Sequence, residues 1–176
     1  MKYVKLGVIL GCRIILRGLY LFPVKSNRIY LSSNLGQSIS CNPWYIYQYM
    51  QEKYQGQYEY IWEDRNDTNV VEKTVKPGTL KSIFYLLTSK IIISNDGLGS
   101  YIPKRKSQTF INTWHGGGAY KKSGIDFITD QHPVDLKINK ICGEQTDVFI
   151  SSCSKFSEVM AKAKCVSREK FFEYGM

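Results

Sequence analysis

The chain has 176 residues, a length that fits one domain with a short appendage and leaves little room for two. Hydrophobic residues make up 43% and charged residues 22%, which excludes a disordered or low-complexity chain. The net charge of +9 is concentrated at the front: Lys2, Lys5, Arg13, Arg17, Lys25 and Arg28 all precede Glu52, the first acidic residue, so anionic partners should meet that end first.

Residues 1–22 are apolar apart from Lys2, Lys5, Arg13 and Arg17, which at helical spacing share one sector. The uncharged run 6–12 is far shorter than the roughly 20 apolar residues that cross a bilayer. Two readings follow. The helix either lies in a membrane interface, its four cations toward anionic headgroups and Val8, Ile9, Ile15 and Leu19 toward the acyl chains, or it packs on its own domain. A faint lipoprotein-like match at residues 9–12 is treated as chance, because arginines follow at once and resist export.

Residues 27–33 read as the first core strand, and Asn42-Pro43 opens a helix continued by Trp44, Tyr47 and Met50. A second strand is expected over 58–62 and a weaker one over 70–75. Thr79 caps a helix running to about residue 89. Three consecutive isoleucines within 90–94 carry the continuous apolar pattern of a strand buried on both faces. Further strands are expected over 109–113, 147–151 and 171–174, with a helix over 154–163. This alternation implies an α/β fold, a Rossmann-like parallel sheet with helices on both faces. Ligands in such folds collect at the carboxyl ends of strands, which draws attention to Asn95-Asp96, Trp114-His115 and Ser151-Ser152.

The most informative stretch is Trp114-His115-Gly116-Gly117-Gly118-Ala119-Tyr120-Lys121-Lys122-Ser123-Gly124, directly after a strand. Glycines without β-carbons let backbone amides approach a phosphate, and two lysines complete an anion site. A neutral imidazole can take a proton from an attacking alcohol. The plain alternative is a glycine turn beside an incidental histidine. His132, before Pro133, is assigned to a loop with no chemical role. Five cysteines, Cys12, Cys41, Cys142, Cys153 and Cys165, have no metal or disulfide spacing and read as reduced, with Cys142 and Cys153 placed near strand ends. Nucleotide triphosphatase, dinucleotide and zinc-hydrolase motifs are absent from the sequence, so no metal and no cofactor is expected.

At these residues the chain resembles the CDP-glycerol glycerophosphotransferases of teichoic acid and capsule synthesis. Trp114, His115, Gly118, Ala119, Tyr120, Lys121 and Gly124 match that family's Trp-His-x-x-Gly-Ala-aromatic-Lys-x-x-Gly segment. Ile93-Ser94-Asn95-Asp96, the Asn42-Pro43 helix and Trp62 are similar in order. The resemblance implies the N-terminal, acceptor-side half of a two-domain GT-B fold over 23–176, preceded by the amphipathic helix 1–22. It also implies His115 as the catalytic base; with that reaction, Gly116, Gly117, Gly118, Lys121 and Lys122 would meet the acceptor or its phosphate, and Asn95 and Asp96 would orient the base or an acceptor hydroxyl. The implied partners are CDP-glycerol, a lipid-linked polyol-phosphate acceptor and the cytoplasmic face of the membrane, bound peripherally. Where the family continues Gly-x-Pro-Arg-Asn-Asp into a donor-binding domain, the chain ends at Gly175-Met176, so little turnover is expected of these residues alone. A non-catalytic module binding membrane or anionic polymer is the alternative. Nucleic acid is not an expected partner, since the aromatics fall on buried elements and no nucleic-acid motif occurs.

Overall fold

In the computed structural model, which describes residues 1–128 and 132–175, seven strands form one parallel sheet. They are β1 (Lys25–Ser32), β2 (Glu59–Glu63), β3 (Thr74–Val75), β4 (Ser89–Ser94), β5 (Thr109–Asn112), β6 (Val148–Ser151) and β7 (Phe171–Glu173). Their spatial order is β3-β2-β1-β4-β5-β6-β7, so the chain reverses direction across the sheet between β1 and β4. That reversal is the switch point at which doubly wound sheets bind ligands. Ile29 to Leu31 face Ile91 to Ile93 in register, two apolar runs that only a sheet covered on both faces can accommodate.

The helices are α1 (Lys2–Leu16), α2 (Cys41–Lys53), α3 (Leu80–Thr88), α4 (Pro133–Glu144) and α5 (Ser154–Lys164). Trp44, Ile46, Tyr47 and Met50 of α2 pack on Ile29, Leu31, Trp62 and Ile93 on one face. Leu86 and Leu87 of α3 pack with Tyr30, Ile61, Ile92 and Phe110 on the other. Phe156 and Met160 of α5 meet Phe149 and Phe171 further along that second face. The expected strands are present, six of them within a residue or two and the weak one over 70–75 reduced to Thr74–Val75, and Thr79 caps α3 by accepting from the Ser82 amide at 3.2 Å.

Two expectations need correction. Helix α4 occupies a stretch to which the sequence reading assigns no element, and His132, expected in a loop, is its cap: Pro133 supplies the first turn and His132 Nδ1 accepts from the Val134 amide at 3.2 Å. Cys142 consequently lies within this helix rather than near a strand end, and burial pushes its thiol pKa up, against nucleophilic use.

The orientation of α1 is also informative. Its basic sector turns inward. Lys2 pairs with Asp135 at 2.9 Å, and Arg13 Nη1 donates to the carbonyls of Ser100 and Ile102 at 2.8 and 2.6 Å. Arg13 is thus committed to the domain and cannot reach a headgroup, and Ile9 is buried rather than facing outward. Among the four expected membrane cations, Lys5 and Arg17 are exposed. The outward side carries Tyr3, Val4, Val8, Ile14 and Ile15, all at least 60% exposed. No described helix is long and apolar enough to cross a membrane.

At the opposite strand ends, Glu59 gathers Lys25, Arg28 and Lys73, with Arg28 Nε at 2.7 Å. Burial raises the Glu59 pKa, but hydrogen bonds from Lys73, Arg28 and Lys25 outweigh it and bring the value from 4.5 to about 2. A depressed carboxylate stabilises the fold fully above its ordinary pKa and loses that stabilisation as pH falls toward the folded value. Glu59→Gln is therefore expected to cost about 2 kcal/mol at pH 7, a typical loss for hydrogen bonds to charged groups. It should also flatten the acid limb of stability between pH 4.5 and about 2. Urea denaturation at pH 7 and pH 3 checks this: parallel losses in parent and variant would refute the assignment.

Candidate active site

Strand β5 ends at Asn112, and the chain leaves the sheet through Thr113 and Trp114. Trp114 holds a positive φ of 55°, a conformation that costs a bulky residue about 1–3 kcal/mol. Side chains from two elements impose it. Asn112 Oδ1 accepts from the Trp114 amide at 2.9 Å, and Asn42 Nδ2 of α2 donates to the carbonyls of Thr113 and Trp114 at 3.2 and 3.4 Å. The turn throws His115 out of the sheet plane, where its ring stacks on Trp114 with centroids 4.3 Å apart.

The exposed His115 ring sets Nδ1 2.8 Å from the carbonyl oxygen of Asn95, at the end of neighbouring β4. A carbonyl only accepts, so Nδ1 carries the proton in this contact, and Nε2 presents its lone pair outward. A neutral imidazole so fixed is a proton acceptor in a defined direction. That is what general-base work on an alcohol requires.

The Asn95 and Asp96 side chains hold the neighbouring loop, while the Asn95 backbone meets the imidazole. The fully buried Asn95 amide oxygen accepts from the Asn34 amide at 2.9 Å, and Asp96 Oδ2 accepts from the Leu35 amide at 2.8 Å. Asn34 and Leu35 both take left-handed conformations in the loop after β1, so these bonds clamp the switch point. Through its backbone carbonyl Asn95 orients His115, and Asp96 also lines a cavity behind Trp114.

Beyond His115 the glycine run is open at its middle, Gly117, while Gly118 lies against the Tyr120 ring. A β-carbon on Gly117 would meet nothing within 4 Å, so packing does not demand glycine there and the free backbone remains approachable. Ser152 Oγ, after β6, donates to the Gly117 carbonyl at 2.6 Å and ties the run to the next strand end. Lys121 and Lys122 are exposed on the same loop. Gly124 closes the loop at φ +54°, where a β-carbon would stand 1.9 Å from the Ala163 carbonyl oxygen; only glycine fits against α5.

One residue of this neighbourhood escaped the sequence reading. Lys164, at the end of α5, sits with Nζ 4.4 Å from the centroid of the Trp114 ring, on the wall of a cavity of about 290 Å³. Burial lowers its pKa, against weaker support from Cys142 and Asp96. A lysine in the last turn of a helix carries no signal beyond complementing the helix dipole; the packing of Trp114 against it is tertiary. A larger cavity of about 370 Å³, on the other side of the turn at Gly97, has polar groups committed to one another. The Tyr30, Ser32 and Ser82 hydroxyls all donate to Glu63 there.

Comparison with known proteins places this geometry. The sequence profile of the CDP-Glycerol:Poly(glycerophosphate) glycerophosphotransferase family matches residues 14–176. The chain is 37% identical over 165 residues to a teichoic acid poly(glycerol phosphate) polymerase of Staphylococcus epidermidis, covering 86% of this chain and 22% of that protein. It is 32% identical over 113 residues to the enzyme of the same name from Bacillus spizizenii, covering 58% of this chain and 28% of the relative. The solved wall teichoic acid polymerase TagF superposes on 99% of the chain with a TM-score of 0.77 at 27% identity, using 46% of the TagF chain. A TagF variant soaked with CDPG gives 0.79 at 26% identity, with 99% and 47% covered. The chain thus spans under half of these relatives, and its parallel α/β sheet corresponds to one half of a GT-B arrangement. With the profile matching nearly every residue from the end of α1 onward, this chain belongs to the CDP-glycerol:poly(glycerophosphate) glycerophosphotransferase family.

Proposed function

We propose that the chain is the acceptor-side half of a glycerophosphotransferase that passes glycerol phosphate from CDP-glycerol to a lipid-linked polyol-phosphate acceptor of the teichoic acid or capsule type. An acceptor hydroxyl oxygen attacks the phosphorus that bears glycerol, His115 Nε2 takes the hydroxyl proton, and the phosphoanhydride bond breaks with CMP as leaving group. The observation that carries this reading is the 2.8 Å contact between His115 Nδ1 and the Asn95 carbonyl, which leaves Nε2 free on the open side. The glycine run, open at Gly117, together with the exposed Lys121 and Lys122, favours the negative charge that builds on the transferred phosphoryl group. Donor grip falls to a second domain, as in any enzyme that reacts in a cleft between two halves. The test is CMP release by this domain joined to a donor-binding half, with His115→Ala as the comparison; unchanged release would remove His115 as the base.

The outward face of α1 favours a second, compatible role at the cytoplasmic surface of the membrane. Tyr3, Val4, Val8, Ile14 and Ile15 form an apolar stripe, with Lys5 exposed on the same helix and Arg17 exposed at its C-terminal cap. Such a face binds an interface by burying apolar area and by attraction to anionic lipid. Flotation on vesicles containing anionic lipid should fall about tenfold or more for a Val8→Glu, Ile15→Glu double variant, in line with the per-residue penalty of charge in an apolar layer. Equal flotation of parent and variant would exclude this face as the anchor.

A further inference from the structure

We infer that the cavity behind Trp114 is a subsite for a single phosphodiester group, with Lys164 as its cationic ligand and Asn112 as its second donor. The observation is a pair of unanswered donors on one wall. Lys164 Nζ lies over the Trp114 ring, and among the described residues no carboxylate, carbonyl or hydroxyl meets it. Asn112 Oδ1 is fixed by the Trp114 amide, which turns its Nδ2 the other way, and among the described residues that NH₂ also has no acceptor. Both residues line the same 290 Å³ space. Neither donor is sealed off in the way the Trp62 indole N–H is, so both stand open to a ligand entering the cavity, and a group that supplies acceptor oxygens to both at once gains charge-assisted hydrogen bonds. The complementary group is an anion with several acceptor oxygens.

The wall also limits the charge of that anion. Asp96 lines the cavity and carries a carboxylate, so a dianion would meet about twice the repulsion that a monoanion does. A phosphodiester bears one negative charge and a phosphomonoester nearly two near neutrality. Trp114 connects the subsite to the reacting centre, since Lys164 covers one part of the indole while His115 stacks on the ring. A diester held there belongs to a polymer already made, placed beside the imidazole that serves its terminal hydroxyl. That last identification rests on the transferase reading; the anion site itself does not.

The experiment is a titration of the chain, followed by the Trp114 indole N–H resonance, with glycerophosphoglycerol, inorganic phosphate and sodium chloride at matched ionic strength. Glycerophosphoglycerol should give a saturable shift. Lys164→Met, which keeps the aliphatic stem, should weaken it by about tenfold or more, the usual loss when a charge-assisted hydrogen bond is removed. Lys164→Arg should hold it within about threefold, and Lys81→Ala, at an exposed lysine of α3 remote from the cavity lining, should leave it unchanged. Far-UV circular dichroism and melting of Lys164→Met establish that the variant is folded. A diester isotherm identical in Lys164→Met and parent overturns the subsite, as does a chloride titration that reproduces the shift. Inorganic phosphate binding as tightly as the diester overturns the assignment to diesters. Failure here leaves the His115 test on CMP release unaffected, and loss of the His115 reading would leave this titration unaffected, so the two can be told apart.

Discussion

His115→Ala is expected to lower glycerol phosphate transfer by about 10²–10⁴-fold, the range over which a positioned general base contributes, while leaving folding stability within about 0.5 kcal/mol as for other exposed side chains. The asymmetry follows from geometry. The ring is exposed and gives the fold one hydrogen bond, to the Asn95 carbonyl, and one stacking contact, to Trp114. Its other nitrogen is free to do chemistry. His115→Gln supplies the sharper comparison, because an amide can still donate to the Asn95 carbonyl but cannot accept a full proton. If orientation alone mattered, the glutamine variant would recover much of the rate; if proton transfer is the task, it should be as slow as alanine. Transfer is measured as CMP release by the domain joined to a donor-binding half, and equal rates in parent and alanine variant would sink the assignment.

Most of the sheet was legible in the sequence because its strands are short apolar runs: β4 as three isoleucines, β5 around Phe110 and Ile111, β2 as the Tyr-Ile-Trp run ending at Trp62. The histidine was legible for the same local reason, standing at a strand end before glycines. What escaped is tertiary. Periodicity placed Lys2, Lys5, Arg13 and Arg17 on one side of α1 but could not say which side faces the domain. The Ser100 and Ile102 carbonyls that bind Arg13 lie 87 and 89 residues away. Helix α4 went unassigned because Asp135, Lys137, Asn139 and Lys140 dilute its apolar face, although Pro133 stands where a first helical residue is favoured. The roles of Asn95 and Asp96 were read from their position at a strand end. The loop they clamp becomes their neighbour only when β1 and β4 pair.

Trp62→Ala is expected to cost about 3–5 kcal/mol, the range for truncating a large aromatic in a packed core. For a chain of this size that lowers the melting temperature by roughly 6–20 °C. Trp62 is fully buried, packed between Trp44 and Tyr47 of α2 with ring centroids 6.2 and 5.7 Å away. Two opposing terms sit in this one side chain. Its area holds α2 on the sheet, yet its buried Nε1–H has no acceptor among the described residues, a desolvated donor that works against the fold. Trp62→Phe separates them, since it keeps a ring against α2 and deletes the orphan donor, so its cost should stay below about 1.5 kcal/mol. The consequence reaches the site through Asn42, whose amide holds the Thr113 and Trp114 carbonyls from the first turn of α2. Loosening α2 should therefore release the strained Trp114 and the imidazole stacked on it, and transfer by Trp62→Ala should fall even at temperatures where the variant is still folded. Thermal melting of the three proteins, with CMP release at 20 °C below each midpoint, decides the matter. A Trp62→Ala protein that melts with the parent, or one that melts early but turns over normally when folded, would break the link from this core residue to His115.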